Sequence, residues 1–226
     1  MININIYTSL ILSIIVQFIT GIIELISLFI KAPSNFLLLK QMLLLEVIVQ
    51  FIEGSFYIYW LYNFNTILNI TPKRYFDWSF TTPTMLVNLI FYLIFLKYKN
   101  DGTSYKLNFI ELLNQEFYTI ITIWLLNWVM LLFGYLGEIK LIPVLWGVSL
   151  GFIPFFIYYY IIYTKYALLS NEGLTLFFYF LIIWCLYGIV AVLPYKIKNI
   201  CYNILDLFSK NFFGIYLSYL LFINKY

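Results

Sequence analysis

Asp206 and Lys210 stand four residues apart within a long apolar run, Tyr202 to Leu221. At that spacing both side chains lie on one face of a helix. A lysine in hydrocarbon is costly as a bare cation, so it needs a partner and is normally functional. A buried lysine amine is also a good nucleophile toward a carbonyl, with which it forms an imine. The pair therefore reads as an imine-forming lysine with a carboxylate beside it. A second group lies upstream in Arg74-Tyr-Phe-Asp-Trp-Ser-Phe-Thr-Thr-Pro. Arg74 and Asp77 are i, i+3, and Asp77 and Thr81 are i, i+4, so all three share a face. One positive nitrogen, two carboxylates and an arginine make either a buried tie between two helices or a reaction centre. Two further stripes carry polar groups at helical spacing: Glu46, Gln50, Glu53 and Tyr57, and Ser9, Ser13, Gln17, Thr20 and Glu24. Acid-bearing faces of membrane helices usually point to a bundle interior or a watery cavity.

Composition identifies the elements that must hold these groups. Hydrophobic residues make up 64% of the 226-residue chain and charged residues only 10%, against roughly half and a quarter in soluble domains. The expectation is an all-α, integral, multi-pass membrane protein. A net charge of +3 is too small to imply a nucleic-acid partner. Histidine is absent, and Cys185 and Cys201 have no metal or disulfide spacing, so no metal site is expected. A span needs about 20 apolar residues. Seven runs fit: Asn5–Ile30, Leu38–Tyr62, Arg74–Lys97, Phe117–Tyr135, Leu141–Tyr163, Leu174–Leu193 and Ile200–Leu221. Turn-forming stretches such as Lys31-Ala-Pro-Ser-Asn and Pro194-Tyr-Lys-Ile-Lys separate them. Residues 105–116 read either as a short interfacial helix, with Leu107, Ile110 and Leu113 on one side, or as an extension of the fourth span. The whole chain, 1–226, is expected to be one seven-helix domain. With the N-terminus outside and the C-terminus inside, seven basic residues (Lys225 among them) fall inside and five outside, which favours that orientation. The first run lacks a basic leader and is long enough to span, so no cleavable signal is expected.

At the Arg-Tyr-x-Asp-Trp-x-x-Thr-Thr-Pro run and the later Asp-x-x-x-Lys, the sequence resembles the microbial (type 1) rhodopsins over essentially its whole length. The resemblance implies all-trans retinal bound covalently as an imine on Lys210. Asp77 would be the primary counterion and proton acceptor and Asp206 the second, with Arg74, Thr81 and Tyr57 around them. Trp78, Thr82, Met85, Met130, Gly134, Trp146, Ser149, Ile153, Trp184, Tyr187 and Ala191 would line the polyene, and Asn127 matches the fourth-span pattern. Such a chain is not an enzyme. Its partners would be the lipid bilayer and monovalent cations or protons, with homo-oligomerisation left open.

The pattern departs from an archaeal-type outward pump. Eleven residues after the counterion such a pump keeps a reprotonating acid, and here that position is Asn88. No carboxylate stands between Glu172 and Asp206, where acids near the outer mouth are expected. The Glu46/Glu53 pair, Ser13 with Gln17, and Asn203-x-x-Asp206 are similar to the group 1 viral rhodopsins of large algal viruses, which act as light-gated cation channels. The leading expectation is therefore a cation channel in a host cell membrane. Its ion path would run along Ser13, Gln17, Glu46, Gln50, Glu53, Asn88 and Asn203. Glu46 with Asn203, joined by Gln17 and Ser13, would close an inner constriction. A slow outward proton pump using only the central acids is the alternative. A photosensor ranks third, because no transducer segment follows Tyr226.

Overall fold

The computed structural model describes residues 5–224, so Lys225 lies outside the described residues. The described residues contain helices and no strand. They comprise α1 (Ile6–Ser27), α2 (Leu37–Tyr62), α3 (Thr71–Asn100), the short α4 (Phe109–Gln115), α5 (Phe117–Glu138), α6 (Val144–Lys165), α7 (Asn171–Ala191), α8 (Tyr195–Asp206) and α9 (Phe212–Ile223). A π-helical turn, Leu207–Asn211, joins α8 to α9.

Local chemistry sets the boundaries. The Asn5 side chain accepts from Thr8 N at 2.8 Å, Asn108 from Ile110 N at 2.9 Å and Ser170 from Gly173 N at 2.9 Å, each satisfying a free first-turn N–H. Pro72 occupies the first turn of α3, where its missing donor costs nothing. Pro194 caps α8, so the seventh span starts at Tyr195, earlier than the expected Ile200. The 105–116 segment is a separate short helix, shorter than expected, beginning at Phe109 behind its Asn108 cap.

Among the described residues, six helices are each long and apolar enough to cross a bilayer. The seventh crossing is α8, the π turn and α9 in series. It is broken by geometry and carries Lys196, Lys198, Asn199, Asn203, Asp206 and Lys210. The result is a seven-helix bundle whose polarity is reversed relative to a soluble protein. The buried face of α1 is Ser9, Leu10, Ser13, Gln17, Thr20, Glu24 and Ser27, while Phe18 and Ile26 face outward. Helices in lipid gain nothing from hiding leucine from hydrocarbon, and what they hide is polar.

α3 is the central post, with every residue from Met85 to Leu96 buried. Pro83 inside it cannot donate to the carbonyl of Ser79. The Trp128 indole on α5 donates to that freed oxygen at 2.9 Å, and Trp124 donates to the Pro83 carbonyl at 3.0 Å. Trp128 therefore repairs the break, and the two indoles together pin α5 to α3. α5 and α6 come together at small residues: a Cβ on Gly147 would sit 2.7 Å from the Phe133 carbonyl oxygen, too close for any side chain. Close backbone approach of this kind is how membrane helices pack.

Candidate functional site

Lys210 lies in the π turn with 1% exposure. Its Nζ is 2.9 Å from Asp77 Oδ2, 3.5 Å from Glu53 Oε1 and 3.7 Å from Asp206 Oδ1. Three carboxylates on α2, α3 and α8 thus surround one ammonium. A π turn widens the helix and leaves backbone groups without their regular partners; here the Phe208 carbonyl accepts from the Tyr179 hydroxyl at 2.8 Å.

Asp206 is held from all sides. Tyr57 donates to Oδ2 at 2.7 Å, Tyr187 to Oδ1 at 2.7 Å, and Arg74 makes an ion pair at 3.1 Å. Arg74 uses its remaining donors on Asn199 Oδ1 at 3.2 Å and on Asn203 Oδ1, and its guanidinium lies 4.9 Å from the Trp60 ring centre. The Tyr57 oxygen also accepts from Arg74, at 3.3 Å, so the planar fork of five donors serves four residues at once, more than the three donors of a lysine could. Thr81 is on the expected face, but its hydroxyl donates back to the Asp77 carbonyl at 3.1 Å and not to the carboxylate. Such back-bonding along a helix is the short-range option for a threonine at this spacing. Asp77 Oδ1 has no hydrogen-bond partner.

On one side of Lys210 is an apolar cavity. Its cavity volume is about 100 Å³. Of the residues expected there, Trp78, Thr82, Met85, Met130, Gly134, Trp184, Tyr187 and Ala191 line it, and Lys210 closes one end. Trp146, Ser149 and Ile153 do not; all three are exposed on the outside of α6. The lining face of α6 is instead Gly147, Val148, Gly151, Phe152 and Phe155. The glycine pair packs on the α5 backbone and rotates that face inward, putting Trp146 toward lipid. Asn127 lies behind the wall and donates to Thr82 Oγ1 at 2.8 Å. An aromatic-walled slot with a single amine at its end fits an elongated apolar aldehyde such as retinal.

On the other side, a file of hydrogen-bonded polar groups runs between α1, α2, α3 and the seventh span. Toward the Arg74 end, Asn203 donates to Ser9 Oγ at 2.9 Å and its carbonyl accepts from Ser13 at 3.1 Å. Beside the centre, Gln17 donates to Glu53 at 3.2 Å. Farther on, Asn211 donates to Thr20 at 2.8 Å and to Gln50 at 2.9 Å. Asn88 donates to Glu46 at 2.7 Å. The expected Glu46–Asn203 constriction is not formed. Asn203 is within 3.2 Å of Tyr57, and Glu46 lies eleven residues back along α2, about 16 Å at 1.5 Å per residue. Glu53 was expected only in the path and in fact touches Lys210. Its place four residues before Tyr57 on one helix face was the available signal, because Tyr57 bonds Asp206. Asn199 and Asn211 were missed; Asn199 continues the Asn203–Asp206–Lys210 face one turn back, whereas Asn211 adjoins Lys210 in the π turn and points elsewhere.

The chain matches the family described as bacteriorhodopsin-like protein over residues 5–224. Among solved structures it is similar to the viral rhodopsin OLPVRII, with 30% identity, a TM-score of 0.80, and coverage of 95% of this chain and 96% of that one. A blue light-absorbing proteorhodopsin from Med12 shares the fold at 18% identity and a TM-score of 0.74, covering 96% and 97% of the two chains. Acetabularia rhodopsin I does so at 20% identity and a TM-score of 0.73, covering 96% and 94%. None of the curated proteins matches.

Proposed function

This chain belongs to the bacteriorhodopsin-like protein family, whose members carry out light-driven ion transport or sensing, and on that premise we propose that it is a light-gated cation channel. All-trans retinal, held covalently by Lys210, would supply absorption of visible light and the change of shape that starts the cycle. The observation that carries the channel reading is the polar file itself. It runs through four helices beside the lysine, and it is rich in carboxylates, the groups that select cations in pores.

In darkness the file is shut at its middle. Lys210 with Asp77, and Arg74 with Asp206, fill the space between α2, α3 and α8 with paired charge. A proton passing from the Lys210 nitrogen to Asp77 Oδ2 cancels the closest of these pairs. The two helices then lose their strongest mutual attraction, and water and cations can enter where the pair stood. Arg74 stays bound to Asp206, Asn199 and Asn203 and keeps the α3 start in register. Similarity to a viral rhodopsin, together with Glu46, Glu53 and Asn203-x-x-Asp206, supports a viral channel placed in a host cell membrane with its N-terminus outside.

One observation favours a second reading, an outward proton pump. Asn88 occupies the place of a pump's reprotonating acid, and Glu46 supplies a carboxyl 2.7 Å from it. Substituting Glu46 would therefore disturb both mechanisms, and the discriminating measurement is the current itself. Whole-cell recording under illumination of cells supplied with all-trans retinal should give currents that reverse with the cation gradient. A current of fixed outward direction at every voltage would select the pump.

A further inference from the structure

The polar file continues past Lys210 into a layer that the centre does not use. Asn211 bridges Thr20 of α1 and Gln50 of α2, and Gln50 Nε2 donates to Glu24 Oε1 at 3.2 Å. Glu24 is fully buried and makes no ion pair among the described residues. Its Oε2 has no hydrogen-bond partner, and neither has Asn211 Oδ1. Asn211 Oδ1 is an acceptor, and Glu24 Oε2 is one unless it carries the carboxyl proton, so the layer is short of donors or of positive charge. The wider file has the same deficit. Five buried carboxyls (Glu24, Glu46, Glu53, Asp77 and Asp206) face two buried cations, Arg74 and Lys210.

The carboxyl of Glu24 is seated by shape. It lies against Gly214 of α9, and a Cβ there would overlap Glu24 Oε1 and Cδ. The next buried position beyond it on α9 is Leu217, at 0% exposure. Beyond it the only buried polar groups of α1 and α9 among the described residues are two serines, Ser27 and Ser218.

We propose that Glu24, Gln50, Asn211 and Thr20 form the inner constriction of the ion path, and that Glu24 selects a small hard cation there. This rests on the channel reading. Carboxylate, amide and hydroxyl oxygens suit hard, oxygen-seeking ions. A carboxyl without a paired cation, once it gives up its proton, attracts a cation in the proton's place and repels anions. The layer lies on the opposite side of Lys210 from Asn203 and replaces the constriction expected from Glu46 and Asn203.

The test uses the full chain with all-trans retinal, recorded under illumination while sodium is exchanged for the bulky N-methylglucamine cation. Glu24→Gln keeps the shape and the bond to Gln50 but cannot ionise. Its absorption maximum should stay at the wild-type value, and its reversal potential should respond less to sodium. Gly214→Ala keeps the ionisable carboxyl but pushes it aside, and should reduce the current with colour unchanged. If Glu24→Gln yields no pigment, Gly214→Ala alone decides. Wild-type current and sodium dependence in the coloured variants would overturn this inference and leave the channel reading standing. A wild type that passes only fixed outward current would overturn both.

Discussion

Glu53 should behave as a counterion of Lys210, and Glu53→Gln tests this. Two unit charges interact by about 332/(εr) kcal/mol, and an effective ε of about 20 suits protein sites. At 2.9 Å for Asp77, 3.5 Å for Glu53 and 3.7 Å for Asp206, the attractions to Lys210 are about 6, 5 and 4.5 kcal/mol. The dielectric cancels in the ratio, so Glu53 should act about four-fifths as strongly as Asp77. A carboxylate beside the nitrogen stabilises a pigment whose positive charge is concentrated there. Excitation moves that charge away, so removing the carboxylate raises the ground state more than the excited state and narrows the gap. Glu53→Gln should therefore move the absorption maximum to longer wavelength, by an amount close to the shift of Asp77→Asn measured beside it. Visible spectra of the two purified variants at equal pH suffice. An unshifted Glu53→Gln beside a shifted Asp77→Asn would refute the reasoning, because Glu53 would then carry no charge toward Lys210.

Lys210→Ala should stay colourless with added all-trans retinal while retaining helical circular dichroism, since the lysine is the one amine on the cavity wall. Trp146→Phe should leave the absorption maximum where it is, because that ring faces outward. Phe152→Ala should shift it, because that ring lines the cavity and packs on Gly188; spectra of the pair check the α6 register. Asn203→Ala strips an acceptor from Arg74 and a donor from Ser9. It should cost about 2–3 kcal/mol of stability, as expected for a buried charged donor left short of a partner, read as a lower thermal midpoint in detergent.

The spans were legible because length and hydrophobicity suffice for them, and the Asp77–Lys210 contact because two short motifs fix it. The face of α6 was not. Val144 to Phe156 contains a single polar residue, Ser149, so hydrophobic periodicity has no phase to report there. The usable signal was the i, i+4 glycine pair Gly147 and Gly151, which must face a neighbouring backbone. The height of Glu46 relative to Asn203 was hidden for another reason. Spacing within one helix orders its own residues but does not set its level against the next helix. Only a cross-helix tie does that, and Tyr57 to Asp206 was the one available. The π turn was not legible at all, since nothing in Leu207-Phe-Ser-Lys-Asn departs from ordinary helix composition.

That turn explains how one lysine serves two compartments. Asp77 and Trp78 are neighbours on α3, yet one faces the polar file and the other the cavity, because successive helical residues differ in direction by about 100°. The same division occurs across the bundle at Lys210 and Asn211. Lys210 ends the cavity and reaches Asp77, while Asn211 turns to Thr20 and Gln50. Backbone displacement at Lys210 is therefore carried to Asn211 through a single peptide bond. Two hydrogen bonds link Asn211 to α1 and α2, and Gln50 links onward to Glu24. Packed interiors deform little before they rearrange, so a shift at the cavity end has a short, contiguous route to the far layer. The centre and the inner constriction are then two ends of one mechanical element. A variant that breaks the Asn211 bonds, such as Asn211→Leu, should uncouple them: the pigment would form and bleach normally, but the light-induced current would fall.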